Sequence, residues 1–115
     1  MASGLTDEQI ETIVEEADRY ASVDKEKKEE IKVRNEARIL INSTEKTLAE
    51  FGGEMDPQKR SEIESALEEL VSLDESDYFD VDVTRKWTRE LSRRVYRATE
   101  MMYQSAAEKE GLADK

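Results

Sequence analysis

The chain has 115 residues, a formal net charge of −11, and 41% charged against 6% aromatic side chains, which implies one domain with a modest aliphatic core. Such an acidic surface repels nucleic acid and anionic lipid over most of its area. Cysteine and histidine are both absent, which excludes disulfides, thiolate metal ligands, imidazole bases and Ser-His or Cys-His nucleophiles.

No run of about 18 apolar residues is present to span a bilayer, and no apolar leader core opens the chain. A soluble, cytoplasmic protein without nucleic-acid or membrane partners is therefore expected. "FGGE" at 51–54 lacks the following Lys-Ser/Thr and the preceding strand of a phosphate loop. The many carboxylates read as solvating groups, so no catalytic residue, cofactor or metal is expected. One proline and four glycines leave few interruptions, which favours long helices over many short strands.

Thr6 is an N-cap and Gln9, three residues on, completes a capping box, with Asp7 and Glu8 suited to the first turn. Ile10, Ile13, Val14, Ala17, Tyr20 and Ala21 follow at three- and four-residue steps, one apolar helix face. From Asp24 to Glu30 no apolar residue occurs, and the mixed signs read as solvated helix. Apolar spacing returns at Val33, Ala37, Leu40, Ile41, Thr44, Leu48 and Phe51. Gly52-Gly53 then predicts a left-handed helix end.

Asp56-Pro57 signals a second start, an N-cap with proline at the first helical position. Ile63, Ala66, Leu67, Leu70 and Val71 form its inward face. A loop is predicted around "LDESDYFDVD", residues 73–82, with Tyr78 and Phe79 capping the core. The last helix is expected from Asp82–Thr84 to near Gly111, with Trp87, Leu91, Val95, Ala98, Met102 and Ala106 inward. The fold class is all-α: a small helical bundle with a protruding long N-terminal helical arm. Residues 1–33 form the arm and residues 34–115 the bundle with the segment that enters it.

The arm face has no helix of this chain assigned to cover it, because the later helices are needed by residues 37–51. It either folds back on the bundle or meets a partner or a second copy. Three weaker signals take their plainer readings. The sequon Asn42-Ser43-Thr44 lies within a helix. Asp77, Asp80 and Asp82 lack the glycine and terminal glutamate of a calcium loop. The basic stripe Arg85, Arg89, Arg93 and Arg97, with Lys86 and Arg94 beside it, is expected to pair with Glu62, Glu64, Glu68 and Glu69.

"SGLTDEQI" with "IVEEA" (Ser3 to Ala17), Ala21, Asp24, Arg34-Asn35 and "STEK" (Ser43 to Lys46) form an ordered series. "IESALEEL" (Ile63 to Leu70) and "MYQSAA" (Met102 to Ala107) continue it. In order and spacing the series resembles the C-terminal helical lid subdomain of the seventy-kilodalton heat-shock chaperones of the DnaK type. The resemblance covers Ser3 to Gly111, and it implies a fragment without the ATPase domain and peptide-binding β-sandwich of the parent chaperone.

On that resemblance Ile10, Ile13, Val14 and Ala17 pack on the sandwich, and the next turns cross the peptide cleft. Arg34, Asn35, Arg38, Leu40, Ile41 and Asn42 form the lid hinge and latch. Apolar side chains then fall on more than one side at Ile39, Leu40 and Ile41, because the segment meets both cleft loops and bundle. The implied function is a non-catalytic lid that slows release of bound peptide under control of an ATPase domain. Implied partners are the sandwich, unfolded clients and co-chaperones, with a homo-dimer of the isolated chain expected as well. The alternative is a free-standing helical-bundle interaction or oligomerisation module. Two departures stand out. Arg38 occupies the position of the family's latch carboxylate and Asn42 that of a frequent histidine. The second is "LDESDYFDVDVTRKW", longer and more aromatic than the family's loop between these helices, and "EKEGLADK" also carries neither the acidic tail nor the terminal Glu-Glu-Val-Asp signal.

Overall fold

The computed structural model describes residues 4–111. Ser3, the first residue of the family-like series, and residues 112–115 of the chain end lie outside the described residues. Three α-helices and one short 3-10 turn make up the described fold: α1 (Asp7–Phe51), the turn Gly52–Glu54, α2 (Pro57–Glu75) and α3 (Val81–Lys109). The chain divides into two compact units, Met1–Lys32 and Val33–Lys115.

In the first unit the capping box forms as its sequence requires. Gln9 N–H donates to Thr6 Oγ1 at 3.2 Å, and Thr6 N–H donates to Gln9 Oε1 at 2.9 Å. Two of the donors left free at a helix start are satisfied in this way. Asp24 and Lys28 pair along the helix at 3.1 Å, so the run without apolar residues is solvated helix. Every described residue from Gly4 to Lys28 is exposed.

The second unit is built around one core. Ala37 and Ile41 from α1, Met55 from the link after the 3-10 turn, Ile63, Ala66 and Leu70 from α2, and Leu91 and Ala98 from α3 form it. Leu40, Leu48, Leu67, Val71, Trp87, Val95 and Met102 close its rim. The α2 start follows from Asp56, whose Oδ2 accepts the Lys59 N–H at 3.2 Å, with Pro57 next. The α3 start follows from Asp80, whose Oδ1 accepts the Val83 N–H at 3.0 Å.

Several expectations change. Gly52 and Gly53 do not adopt a left-handed end: no glycine but Gly111 has positive φ among the described residues. The helix tightens into a 3-10 turn instead, and Gly52 is buried with Arg60 Cζ 3.4 Å from where a Cβ would stand. Gly111, at φ 72, takes the left-handed conformation after α3. The predicted 73–82 loop shrinks to residues 76–80, because α2 continues through Glu75 and α3 begins at Val81. Tyr78 is 90% exposed and caps nothing, while Phe79 is half-buried. Ala106 is exposed, and Phe51 is 40% exposed at the end of α1.

Thr12, Thr47, Thr88 and Thr99 each donate to the carbonyl four residues earlier. Thr44 and Thr84 are buried, and their hydroxyls have no hydrogen-bond partner among the described residues. Valine has nearly the same shape without the buried hydroxyl. Thr44→Val and Thr84→Val should therefore each raise stability by about 1–2 kcal/mol, read from urea unfolding midpoints. A loss of stability in both would mean that each hydroxyl is hydrogen-bonded in solution.

Candidate functional site

The segment Arg34 to Asn42 lies on α1 where the helix enters the core of the second unit. Helical spacing decides which of its side chains face inward. Ala37 and Ile41 are buried, Leu40 is half-buried against the core, and Ile39, two residues from Ala37, is 69% exposed. The consecutive apolar side chains thus divide between core and surface. Asn35 and Asn42 are exposed.

The two arginines of this segment converge on the junction of α2 and α3. Arg38 Nε donates to both carboxylate oxygens of Asp74, at 3.1 and 3.2 Å. Asp74 is largely sheltered, with its side chain 16% exposed against 53% for Arg38. One turn earlier, the Arg34 guanidinium lies 4.3 Å from the centroid of the Phe79 ring, a cation–π contact that retains the positive charge near the surface. The link itself is tied down: the Ser76 hydroxyl accepts the Tyr78 N–H at 3.2 Å and donates to the Tyr78 carbonyl at 3.1 Å. Asp74 and Phe79 therefore belong to the site with Arg34 and Arg38. Sequence reasoning missed Asp74 because it fell inside the presumed loop; Phe79 was noted, but as a core cap.

In the first unit Ile10, Ile13 and Val14 are 47, 51 and 52% exposed, and Ala17 is exposed beside them. Helical periodicity sets them on one stripe. Leu5 and Ile13 border a shallow surface groove with Glu8, Gln9 and Thr12.

The basic stripe of α3 is partnered differently from the expectation. Glu90, on the same helix, binds Arg93 and Arg94. These hydrogen bonds, Arg93's first and Arg94's second, hold the Glu90 carboxyl down at about 2. Arg94 Nη1 also reaches the backbone carbonyl of Glu62 at 2.7 Å. The carboxylates of Glu62 and Glu64 pair instead with Lys59 and Arg60 on their own helix. Neighbours three and four residues apart share a helix face, whereas reaching α2 would cost each long side chain more freedom. Lys86, Arg89 and Arg97 have no ion pair among the described residues. Of the aspartate cluster, Asp80 caps α3 and Asp82 lies 3.8 Å from Arg85.

Among the described residues no helix is long and apolar enough to cross a membrane. A family model described as Hsp70 protein matches residues 1–104. Together with three helices and no strand among the described residues, that match fits a helical part of a chaperone. The chain belongs to the Hsp70 family.

Proposed function

We propose that this chain is the non-catalytic lid of the substrate-binding domain of a DnaK-type cytoplasmic chaperone. It covers unfolded client polypeptide held by a β-sandwich and slows its release, while ATP binding in the parent's ATPase domain opens it. The observation that carries the reading is the exposed stripe Ile10, Ile13, Val14 and Ala17 in a chain of this family. A stripe of half-exposed aliphatic side chains on a solvated helix is best accounted for by a covering surface, and the sandwich is the surface the lid reading supplies. The paired contacts Arg38–Asp74 and Arg34–Phe79 support a hinge role for residues 34–42, since they brace the entry of α1 into the bundle. Leu40 and Ile41 anchor that entry by packing, and Asn35 and Asn42 remain available to the cleft rim. Co-chaperones of the parent would meet the outer surface of the bundle.

Peptide release from the parent chaperone tests this. Ile10→Asp with Val14→Asp should detach the first helix and speed dissociation of a fluorescent peptide by about tenfold or more, since affinity differences of this kind reside mainly in the off-rate. Equal release with and without the substitutions would remove the lid assignment.

A further inference from the structure

The first helix has a second flank, separate from its apolar stripe. Glu8, Glu11, Glu15 and Asp18 follow one another at three- and four-residue steps, all are exposed, and none has an ion pair among the described residues. On α3, Lys86, Arg89, Arg93 and Arg97 recur at the same steps on the face turned away from Leu91 and Ala98. At about 1.5 Å per residue the acidic run is about 15 Å long and the basic run about 17 Å. We infer that the acidic flank of the first helix in one copy docks antiparallel on the basic face of α3 in a second copy.

Antiparallel helices keep the sum of facing residue numbers nearly constant. Asp18 then faces Lys86, Glu15 faces Arg89, Glu11 faces Arg93 and Glu8 faces Arg97. The same register sets Leu5, 58% exposed, against the shallow groove between Tyr96 and Tyr103, themselves 69 and 68% exposed. Apolar contact thus begins where the charged run ends. Arg93 already holds Glu90, but a guanidinium has enough donors for a second carboxylate. Arg19 is the like-charge exception, facing Arg85, and the Asp82 carboxylate 3.8 Å from Arg85 moderates it. Exposed ion pairs contribute little singly, and two short helical runs cover less than a standard stable interface. The association is therefore weak and transient.

The inference does not rest on the lid reading, because it uses a different flank from Ile10, Ile13, Val14 and Ala17. Sedimentation equilibrium of the full chain over a concentration series tests it. Raising salt from about 50 to about 500 mM shortens electrostatic range about threefold and should weaken association about tenfold. Glu15→Lys with Asp18→Lys, and separately Lys86→Glu with Arg89→Glu, should each weaken self-association about tenfold. These sites are exposed and carry no ion pair among the described residues, so circular dichroism should remain unchanged. An equimolar mixture of the two variants should associate again, because the reversed flank of one meets the reversed face of the other. Association indifferent to salt and charge reversal, but lost with Ile13→Asp, would overturn the inference in favour of stripe-to-stripe packing. A strictly monomeric chain up to millimolar concentration, or a mixture that fails to recover, would overturn it too.

Discussion

Leu70→Ala and Leu91→Ala should each destabilise the Val33–Lys115 unit by about 2–5 kcal/mol. Both side chains are fully buried, Leu70 on α2 and Leu91 on α3. The core is small, and several of its members are alanines, Ala37, Ala66 and Ala98, which fit closely packed helices but contribute little apolar area. Each leucine therefore carries a large share of the burial. Removing three carbons from either site loses their transfer free energy and leaves a cavity that rigid neighbouring helices fill only in part. Domain stabilities are about 5–15 kcal/mol, with small domains toward the lower end, so one truncation removes a large fraction. Trp87 is half-buried at the rim of this core and supplies a fluorescence probe for urea unfolding. The comparison is Ile13→Ala in the first unit, where a half-exposed side chain should change the midpoint by no more than about 0.5 kcal/mol. Unfolding midpoints that match the parent for both leucine variants would contradict the core described above.

The elements of the fold were legible where cause and effect lie within one turn of chain. Thr6 with Gln9, and Asp56 with the Lys59 N–H, start helices through atoms three residues apart, and such starts, the second marked also by Pro57, can be read directly from sequence. The core stripes of α2 and α3 were legible for the same reason, since 3.6-residue periodicity is a property of the string itself. The end of α1 was not, because Gly-Gly permits a left-handed turn without requiring one. Burial of Gly52 beside Arg60, a contact across the turn, accompanies a 3-10 ending instead. The 73–82 stretch was misread as loop because Asp and Ser are frequent in loops, whereas here they terminate α2 and cap α3.

The candidate site was legible in half. That Ile10, Ile13 and Val14 share one helix face followed from periodicity, though their exposure did not, since folding back on the bundle stayed open beside a partner. The partners of Arg34 and Arg38 did not, because Arg38 and Asp74 stand 36 residues apart and meet only after three helices pack. The basic stripe on α3 illustrates the same limit with the opposite outcome. Its charges were visible, but whether they reach across to α2 or along α3 depends on side-chain reach that no spacing rule contains.

The charge on Arg38 carries the second large prediction. A family-based reading would send this side chain to a rim residue on the sandwich; the structure engages it with Asp74. A fully exposed ion pair contributes about 0–1 kcal/mol and a hydrogen bond to a charged group about 1.5–3. With Arg38 half-exposed and Asp74 sheltered, the pair falls between those limits at about 1 kcal/mol. Arg38→Ala should therefore cost the bundle about 1 kcal/mol, and Arg38→Glu about 2, because a second carboxylate then lies beside Asp74. The exchange Arg38→Asp with Asp74→Arg should recover most of the loss, which identifies the pair and not the residue as the stabilising unit. If the proposed lid reading holds, the same variants placed in a parent chaperone separate two routes to peptide release. If Arg38 acts through Asp74, then Arg38→Ala and Asp74→Ala speed release equally, and the double variant is no faster than either, because the second substitution removes a contact already lost. About 1 kcal/mol corresponds to roughly fivefold in rate. If Arg38 instead bonds directly to the cleft rim, Arg38→Ala alone speeds release and Asp74→Ala leaves it unchanged or slows it, since the freed guanidinium can then engage the rim more fully. Release unchanged in every variant would leave Leu40 and Ile41 holding the proposed hinge by packing alone.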